Sequence, residues 1–396
     1  MRQMQLHLPM FKMEEKHMKL LPLQVDFDIT MECMYKCKHC NVDAGEKLNY
    51  EMNTKEICDT LYQLYELGVS DISITGGEPL LRKDCIEILE YAYNLQGVKL
   101  TLNTNGLLLS DNLISYFETN LPNMTIAISL DGYDSNSYSN LRKWKTEPER
   151  VLDNEFNTVV NNLRKVAKSK LYCGVNYTVT KTTIANMLKT YDFIKNLGLN
   201  YMLMIKFFPF GQGKKFCKEL ELDYQSWNEL LNEVTDLKLR KKEYYSGLQI
   251  STPCPWEVYL PLLPNYSKEQ IHEIWNFYSP LEAELYSRQR DVGCHAGITS
   301  CAISPNGDVY PCGTISSNYP DFVCGNVLKQ SVEDIFENST FLNELRKIKL
   351  CNLKSECMSC DYKSLCGGGC RARAYTKYKD ILAPDYLCPI CKGKEE

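Results

Sequence analysis

Three cysteines near the start of the 396-residue chain, Cys33, Cys37 and Cys40, are spaced C-x3-C-x2-C. Three thiolates on one short loop can hold three corners of a cubane iron–sulfur cluster and leave the fourth iron free for a substrate or cofactor. The competing reading is zinc, but structural zinc takes four ligands and His39, between two of the cysteines, is the one other donor at a usual spacing. Of the nineteen cysteines, five are scattered singly from Cys58 to Cys254 and eleven fall between Cys294 and Cys391. Clustered thiols in a reducing compartment more often hold metal than form disulfides. Within the C-terminal group, Cys357, Cys360, Cys366 and Cys370 are spaced C-x2-C-x5-C-x3-C, Cys388 follows after seventeen residues, and Gly307 with Cys312 forms G-x4-C. Such pairs also build zinc ribbons, so two zinc sites are the alternative for this region.

The elements that must position these groups alternate. Runs at Val25–Thr30, Asp71–Thr75, Lys99–Asn103, Thr125–Leu130, Tyr172–Thr180 and Tyr201–Phe208 are apolar or β-branched and read as strands. Between them, Thr54–Leu67, Lys83–Leu95, Asp111–Phe117, Glu155–Ala167 and Thr183–Leu197 carry apolar residues at helical spacing, with Thr54 as an N-cap and Gly68 as a stop. Six such alternations require right-handed crossovers and a mainly parallel sheet, with functional residues on loops after the strands. The first cysteine group follows the first strand, and Gly76-Gly77-Glu78-Pro79 ends the second. Two glycines there let backbone approach a ligand, and a carboxylate can pair with an ammonium; the same four residues can also be an ordinary strand-to-helix turn.

A chain of this length exceeds the roughly 250–300 residues at which one core stops growing. The reading is a lead-in over residues 1–24, a barrel over 25–223, a proline- and aromatic-containing bridge over 224–291 and a cysteine-rich unit over 292–396, small enough to be pinned by metal. The net charge of -5, with both signs interspersed, gives no basic stripe for nucleic acid. The N-terminus is too charged for a signal peptide, and no run reaches the roughly 18 apolar residues of a membrane span. The expectation is a cytoplasmic protein with neither nucleic acid nor membrane as partner.

The cysteine spacing after a first strand, with Gly76, Gly77, Glu78 and Pro79 after the second, resembles the radical SAM superfamily. The fold the resemblance implies is α/β, a partial (β/α)6 barrel. It implies that Cys33, Cys37 and Cys40 hold a [4Fe–4S] cluster, that the Gly-Gly-Glu-Pro turn meets the amino group of S-adenosylmethionine (SAM), that Ser129 contacts its ribose, that Arg142 follows as a further contact, and that His39 packs near adenine. The C-terminal pattern resembles the SPASM extension. It implies two auxiliary clusters, three [4Fe–4S] clusters in all, the first held by Cys294, Cys301, Cys312 and Cys370 and the second by Cys357, Cys360, Cys366 and Cys388. Cys391 is an alternative to Cys388, and Cys301 is an alternative bystander that would leave an open iron. Gly367, Gly368 and Gly369 would bring backbone amides to the cluster sulfurs.

By the same resemblance, flavodoxin or ferredoxin donates an electron, SAM is cleaved to a 5′-deoxyadenosyl radical, and the radical takes hydrogen from an unactivated carbon. A peptide or protein is the expected substrate, cross-linked or oxidised, with a separate leader-binding protein as one means of recruitment. Sulfatase maturases carry an Asp after the cysteine that is here Cys312, and Gly313 in its place argues against formylglycine formation. The alternatives are a small-molecule dehydrogenase or decarboxylase acting on a sugar, aminocyclitol or porphyrin, and a non-catalytic electron relay. No catalytic acid or base is identified; Cys217 and Cys254 are the candidates for a proton or hydrogen donor.

Overall fold

The computed structural model describes residues 22–279, 282–283, 291–315 and 319–391, so most of the lead-in expected over residues 1–24 lies outside the described residues. The six expected strands are β1 (Gln24–Thr30), β2 (Asp71–Gly76), β3 (Lys99–Thr104), β4 (Thr125–Ser129), β5 (Tyr172–Val179) and β6 (Tyr201–Lys206), all parallel and paired in sequence order. Helices α1 (Thr54–Glu66), α2 (Cys85–Tyr93), α3 (Asp111–Asn120), α4 (Ser135–Leu141), α5 (Asp153–Lys168) and α6 (Met187–Asn196) connect them, α7 (Cys217–Leu220) follows β6, and the sheet does not close. The N-cap of α1 is Asn53 rather than Thr54: its Oδ1 accepts from the Glu56 amide at 3.0 Å, and the Glu56 carboxylate accepts from the Asn53 amide at 2.8 Å. This reciprocal pair satisfies two otherwise orphaned amides. Gly68, at φ +85°, ends the helix in the left-handed region.

Alternation along β1 sets the plan of the molecule. Val25, Phe27 and Ile29 are fully buried against the helices, while Asp26 and Asp28 stand on the inner face, toward the lumen. The stretch 224–279 of the expected bridge carries regular elements. It forms α8 (Tyr224–Arg240), β7 (Leu248–Ser251), α9 (Trp256–Leu262) and α10 (Lys268–Trp275), and β7 adds to the sheet beside β6. Trp227, Trp256 and Trp275 supply the apolar area for this packing, each with its indole N–H bonded.

On the other side of β1, the cysteine-rich unit contributes β8 (Ser300–Ile303), which pairs parallel with β1, then antiparallel β9 (Asp308–Tyr310) and β10 (Gly325–Asn326). One sheet therefore runs β10-β9-β8-β1-β2-β3-β4-β5-β6-β7 through both units. Short helices α11 (Val332–Asn338), α12 (Thr340–Lys347), α13 (Lys363–Cys366) and α14 (Arg371–Tyr378) complete the C-terminal part.

A buried ion network joins the two units. Lys206 Nζ lies 2.7 Å from Glu257 Oε1, Arg373 Nη1 lies 3.1 Å from the same oxygen, and Arg373 Nη2 lies 2.6 Å from Asp385 Oδ2. Lys206 also sits over the rings of Trp227 and Trp256, at 5.1 and 5.0 Å from their centroids.

Candidate active site

Three cavities share walls along the inner face of the sheet. The first, about 180 Å³, is lined by Cys33, Cys37 and Cys40 together with Gly76, Gly77, Asn103, Ser129, His39 and Arg142. The second, about 240 Å³, carries Asp26, Asp28, Asn41 and Gly313 and shares Gly76 and Asn103 with the first. The third, about 490 Å³, runs from Ser129 and His39 past Asp26 to Cys294, Cys312 and Cys370. They form one lumen from the first cysteine loop to the C-terminal unit.

The cysteine loop is shaped by its own backbone. The Tyr35 amide donates to Cys33 Sγ at 3.4 Å and the Ala44 amide to Cys40 Sγ at 3.4 Å. Burial pushes all three thiols above their ordinary values, so the thiolate form there needs a compensating positive charge, which a bound metal would supply. The two glycines of the next turn are needed for close approach: a Cβ at Gly76 would collide with the Thr30 carbonyl and one at Gly77 with the Glu32 carbonyl.

Glu78 is placed differently from the expectation that its carboxylate pairs with an ammonium. It is 1 % exposed, and its oxygens accept from Thr104 Oγ1 at 2.7 Å, the Asn105 amide at 2.8 Å and the Leu80 amide at 3.2 Å. Neither Glu78 nor Pro79 lines the cavity; a ligand there meets the backbone of Gly76 and Gly77, which Glu78 holds in place.

Ser129 reaches both the first and third cavities. Arg142 is buried, donates to Asp131 Oδ2 at 2.8 Å and lies over the Tyr138 ring at 5.1 Å from its centroid. Asp131 also accepts from the Thr178 amide at 2.8 Å and stands 3.7 Å from His39 Nε2. Sequence reasoning missed Asp131, although Ser129-Leu130-Asp131-Gly132 was read as a strand end. Burial lowers the His39 pKa, and its buried Nδ1 has no hydrogen-bond partner.

Asp26 was also missed. Its carboxylate has no hydrogen bond among the described residues, faces the lumen in two of the cavities, and is pushed up to about 6 by burial and by the charge of Asp71. A Cβ at Gly313 would collide with its Oδ2, so the absence of a side chain after Cys312 leaves the slot that this carboxylate fills. The other candidates for donors lie elsewhere. Cys217, 3.2 Å from Glu221 Oε1, lines none of the described cavities, and Cys254 is buried behind the third.

The second auxiliary group closes around a small void near 20 Å³ lined by Cys357, Cys360, Cys366, Cys388 and Cys391. Both Cys388 and Cys391 are present, with Cys391 Sγ at 3.7 Å from Cys357 Sγ. Gly368 and Gly369 stand on its wall, both with left-handed backbone.

The lumen beneath this open, mainly parallel sheet runs from three thiols to further cysteine groups, an arrangement suited to iron–sulfur chemistry. The family model described as "Radical SAM superfamily" matches residues 28–194, and that of the SPASM "Iron-sulfur cluster-binding domain" matches residues 294–361. The chain belongs to the radical SAM superfamily and carries a SPASM domain, which implies [4Fe–4S] clusters and SAM binding.

It is 26 % identical to an AdoMet-dependent heme synthase of Methanosarcina barkeri over 94 % of this chain and 98 % of that protein. It is 23 % identical to the antilisterial bacteriocin subtilosin biosynthesis protein AlbA of Bacillus subtilis over 88 % and 67 %. Its structure resembles that of Streptococcus suis SuiB bound to precursor peptide SuiA, with a TM-score of 0.71, 20 % identity and coverage of 94 % of this chain and 76 % of that one.

The residues present fit the implied groups. Cys33, Cys37 and Cys40 converge on one cavity with no fourth protein thiol on its wall, and glycine backbone on the opposite side leaves room for a small zwitterion.

Proposed function

We propose that the protein oxidises or cross-links a peptide substrate within this lumen, with Cys33, Cys37 and Cys40 holding the SAM-binding cluster and the SPASM cysteines holding two more. Bound SAM and its cluster would supply a hydrogen-abstracting radical. Gly76 and Gly77 present backbone to the methionine end of SAM, Ser129 and Arg142 flank the rest, and Asp131 keeps Arg142 in place. The auxiliary clusters that the SPASM cysteines would hold would supply an acceptor for the second electron of a substrate oxidation. Asp26 takes the proton released in that two-electron oxidation.

The observation that carries the choice of substrate is the charge of the lumen. Among the described residues lining its second and third cavities there is no Lys or Arg, whereas Asp26 and Asp28 both face it. A haem-type substrate brings propionate carboxylates, and burying carboxylates beside Asp26 without cations is unfavourable. A peptide's amides and side chains match the Asn, Ser and Thr hydrogen-bonding groups on these walls. The relatedness to AlbA and the shared fold with SuiB are in keeping with this reading.

The test uses anaerobically reconstituted protein with SAM and dithionite. Addition of a substrate peptide, drawn from a library of short synthetic peptides, is expected to raise 5′-deoxyadenosine formation and to change the peptide's mass by a loss of about two hydrogens. Saturable binding of an iron porphyrin carboxylate, followed by its absorbance, with turnover of that compound, would overturn the peptide reading in favour of haem-type chemistry. In the same assay Cys37→Ala should abolish SAM cleavage, while Cys360→Ala should impair peptide turnover more than cleavage.

A further inference from the structure

The cavity of the first auxiliary site carries Cys294, Cys312 and Cys370, and the sequence pattern offers Cys301 as the fourth ligand. Cys301 does not reach that cavity. It stands on β8 in register with Val25, whereas its neighbours Ser300 and Ala302, in register with Gln24 and Asp26, face the lumen. Alternation along a strand turns Cys301 to the far face of the sheet, where it is 1 % exposed, influenced among charged neighbours most by the Cys324 thiol and less strongly by Asp26 and Cys312. No side-chain rotation carries a thiol through a paired sheet.

Another cysteine does reach the group. Cys254, between β7 and α9, is 1 % exposed, and one carboxylate ties it to Cys370. Arg373 Nη2 donates to Cys254 Sγ at 3.2 Å. Asp385 Oδ2, 3.5 Å from the same sulfur, accepts from the Cys370 amide at 3.0 Å, so one carboxylate and one guanidinium hold both cysteines in register. The two residues before it, Thr252 and Pro253, line the cavity wall. Cys173, a buried cysteine whose pKa is shifted by burial alone, has no such charged surroundings. These contacts fix a buried sulfur beside Cys370, where it can join that residue around iron.

We propose that Cys254, with Cys294, Cys312 and Cys370, completes the ligand set of the first auxiliary iron–sulfur cluster, and that Cys301 is a core residue. The fourth ligand then comes from the segment joining barrel and SPASM domain, and the cluster has no iron open to substrate. This assignment is independent of the substrate's identity. It is tested on anaerobically reconstituted full-length protein carrying Cys254→Ala, Cys254→Ser, Cys301→Ala or Cys301→Ser. Iron and sulfide are counted per chain, and the clusters are followed by Mössbauer and electron paramagnetic resonance spectroscopy.

Cys301→Ala and Cys301→Ser are expected to keep the full iron content and unchanged spectra. Cys254→Ala is expected to lose at least about one iron per chain to a chelator, with one auxiliary signal altered and the SAM-induced shift of the first cluster retained. Cys254→Ser keeps a small polar side chain and guards against misfolding; an oxygen ligand there should shift the auxiliary signal and its reduction potential without loss of fold. Wild-type iron content and auxiliary spectra in both Cys254 variants would overturn the assignment, as would loss of auxiliary iron in Cys301→Ala.

Discussion

Asp26 is an acid whose ionised form the fold disfavours, because burial desolvates it and Asp71 adds like charge. Its pKa rises from the ordinary carboxylate value to about 6, so the native state binds the proton more tightly than the unfolded chain does. Stability therefore falls as pH rises from about 4 to about 6, and the penalty is fully present above that window. Asp26→Asn is expected to stabilise the protein at pH 8 by up to about 3 kcal/mol and to have no such effect below pH ~4, read as denaturation midpoints at the two pH values. A stabilising change that abolishes peptide oxidation while leaving SAM cleavage intact is the expected pairing for a residue kept for chemistry. Equal stability of the variant and the parent at pH 8 would contradict the carboxylate's isolation. Gly313→Ala, by pushing a methyl group into the same slot, should lower turnover and destabilise by about 1–3 kcal/mol.

The turn after β2 is held by a carboxylate rather than offering one. Glu78 accepts three hydrogen bonds that fix the loops after β2 and β3, so Glu78→Ala leaves buried donors unpaired. It should cost about 2–4 kcal/mol in thermal or denaturant unfolding, with SAM affinity falling as a consequence. Lost SAM affinity with unchanged stability would show that the carboxylate touches the ligand after all. At this scale much of the site was legible before any coordinates. The six strands were visible because Val, Ile, Leu and Phe recur in short runs, and the cysteine and glycine motifs fell at their ends. What escaped notice depends on direction rather than residue type. Spacing shows that Cys301 is near Cys312 in sequence but not which face of a four-residue strand it occupies. Asp26 and Asp28 alternate with Val25, Phe27 and Ile29, so the strand is legible in the sequence, but not that its polar side faces a lumen. β7 was hidden because its four residues sit just before Pro253 and Pro255, which look like a linker.

At the level of the whole molecule, barrel and SPASM domain are welded by the Lys206–Glu257–Arg373–Asp385 chain of charges and by strand pairing. Removing one partner of a buried ion network leaves the others desolvated and uncompensated. Arg373→Met should therefore destabilise by about 3–5 kcal/mol, and the two domains should still unfold in one transition when watched by tryptophan fluorescence and by loss of cluster absorbance. Separate transitions in the parent protein would show that the domains are not coupled.

The backbone ladder between β1 and β8 has one further effect. The strand leading to Cys33 and the strand between Cys294 and Cys312 are hydrogen-bonded neighbours, with Gln24 opposite Ser300 and Phe27 opposite Ile303. Neighbouring strands keep a separation near 4.8 Å, and such a ladder does not hinge. For the proposed electron transfer, the gap between the two cysteine-bearing ends is thus set by peptide geometry, not by how two bodies happen to dock. Breathing of the lumen to admit a substrate can widen the mouth without detuning that transfer.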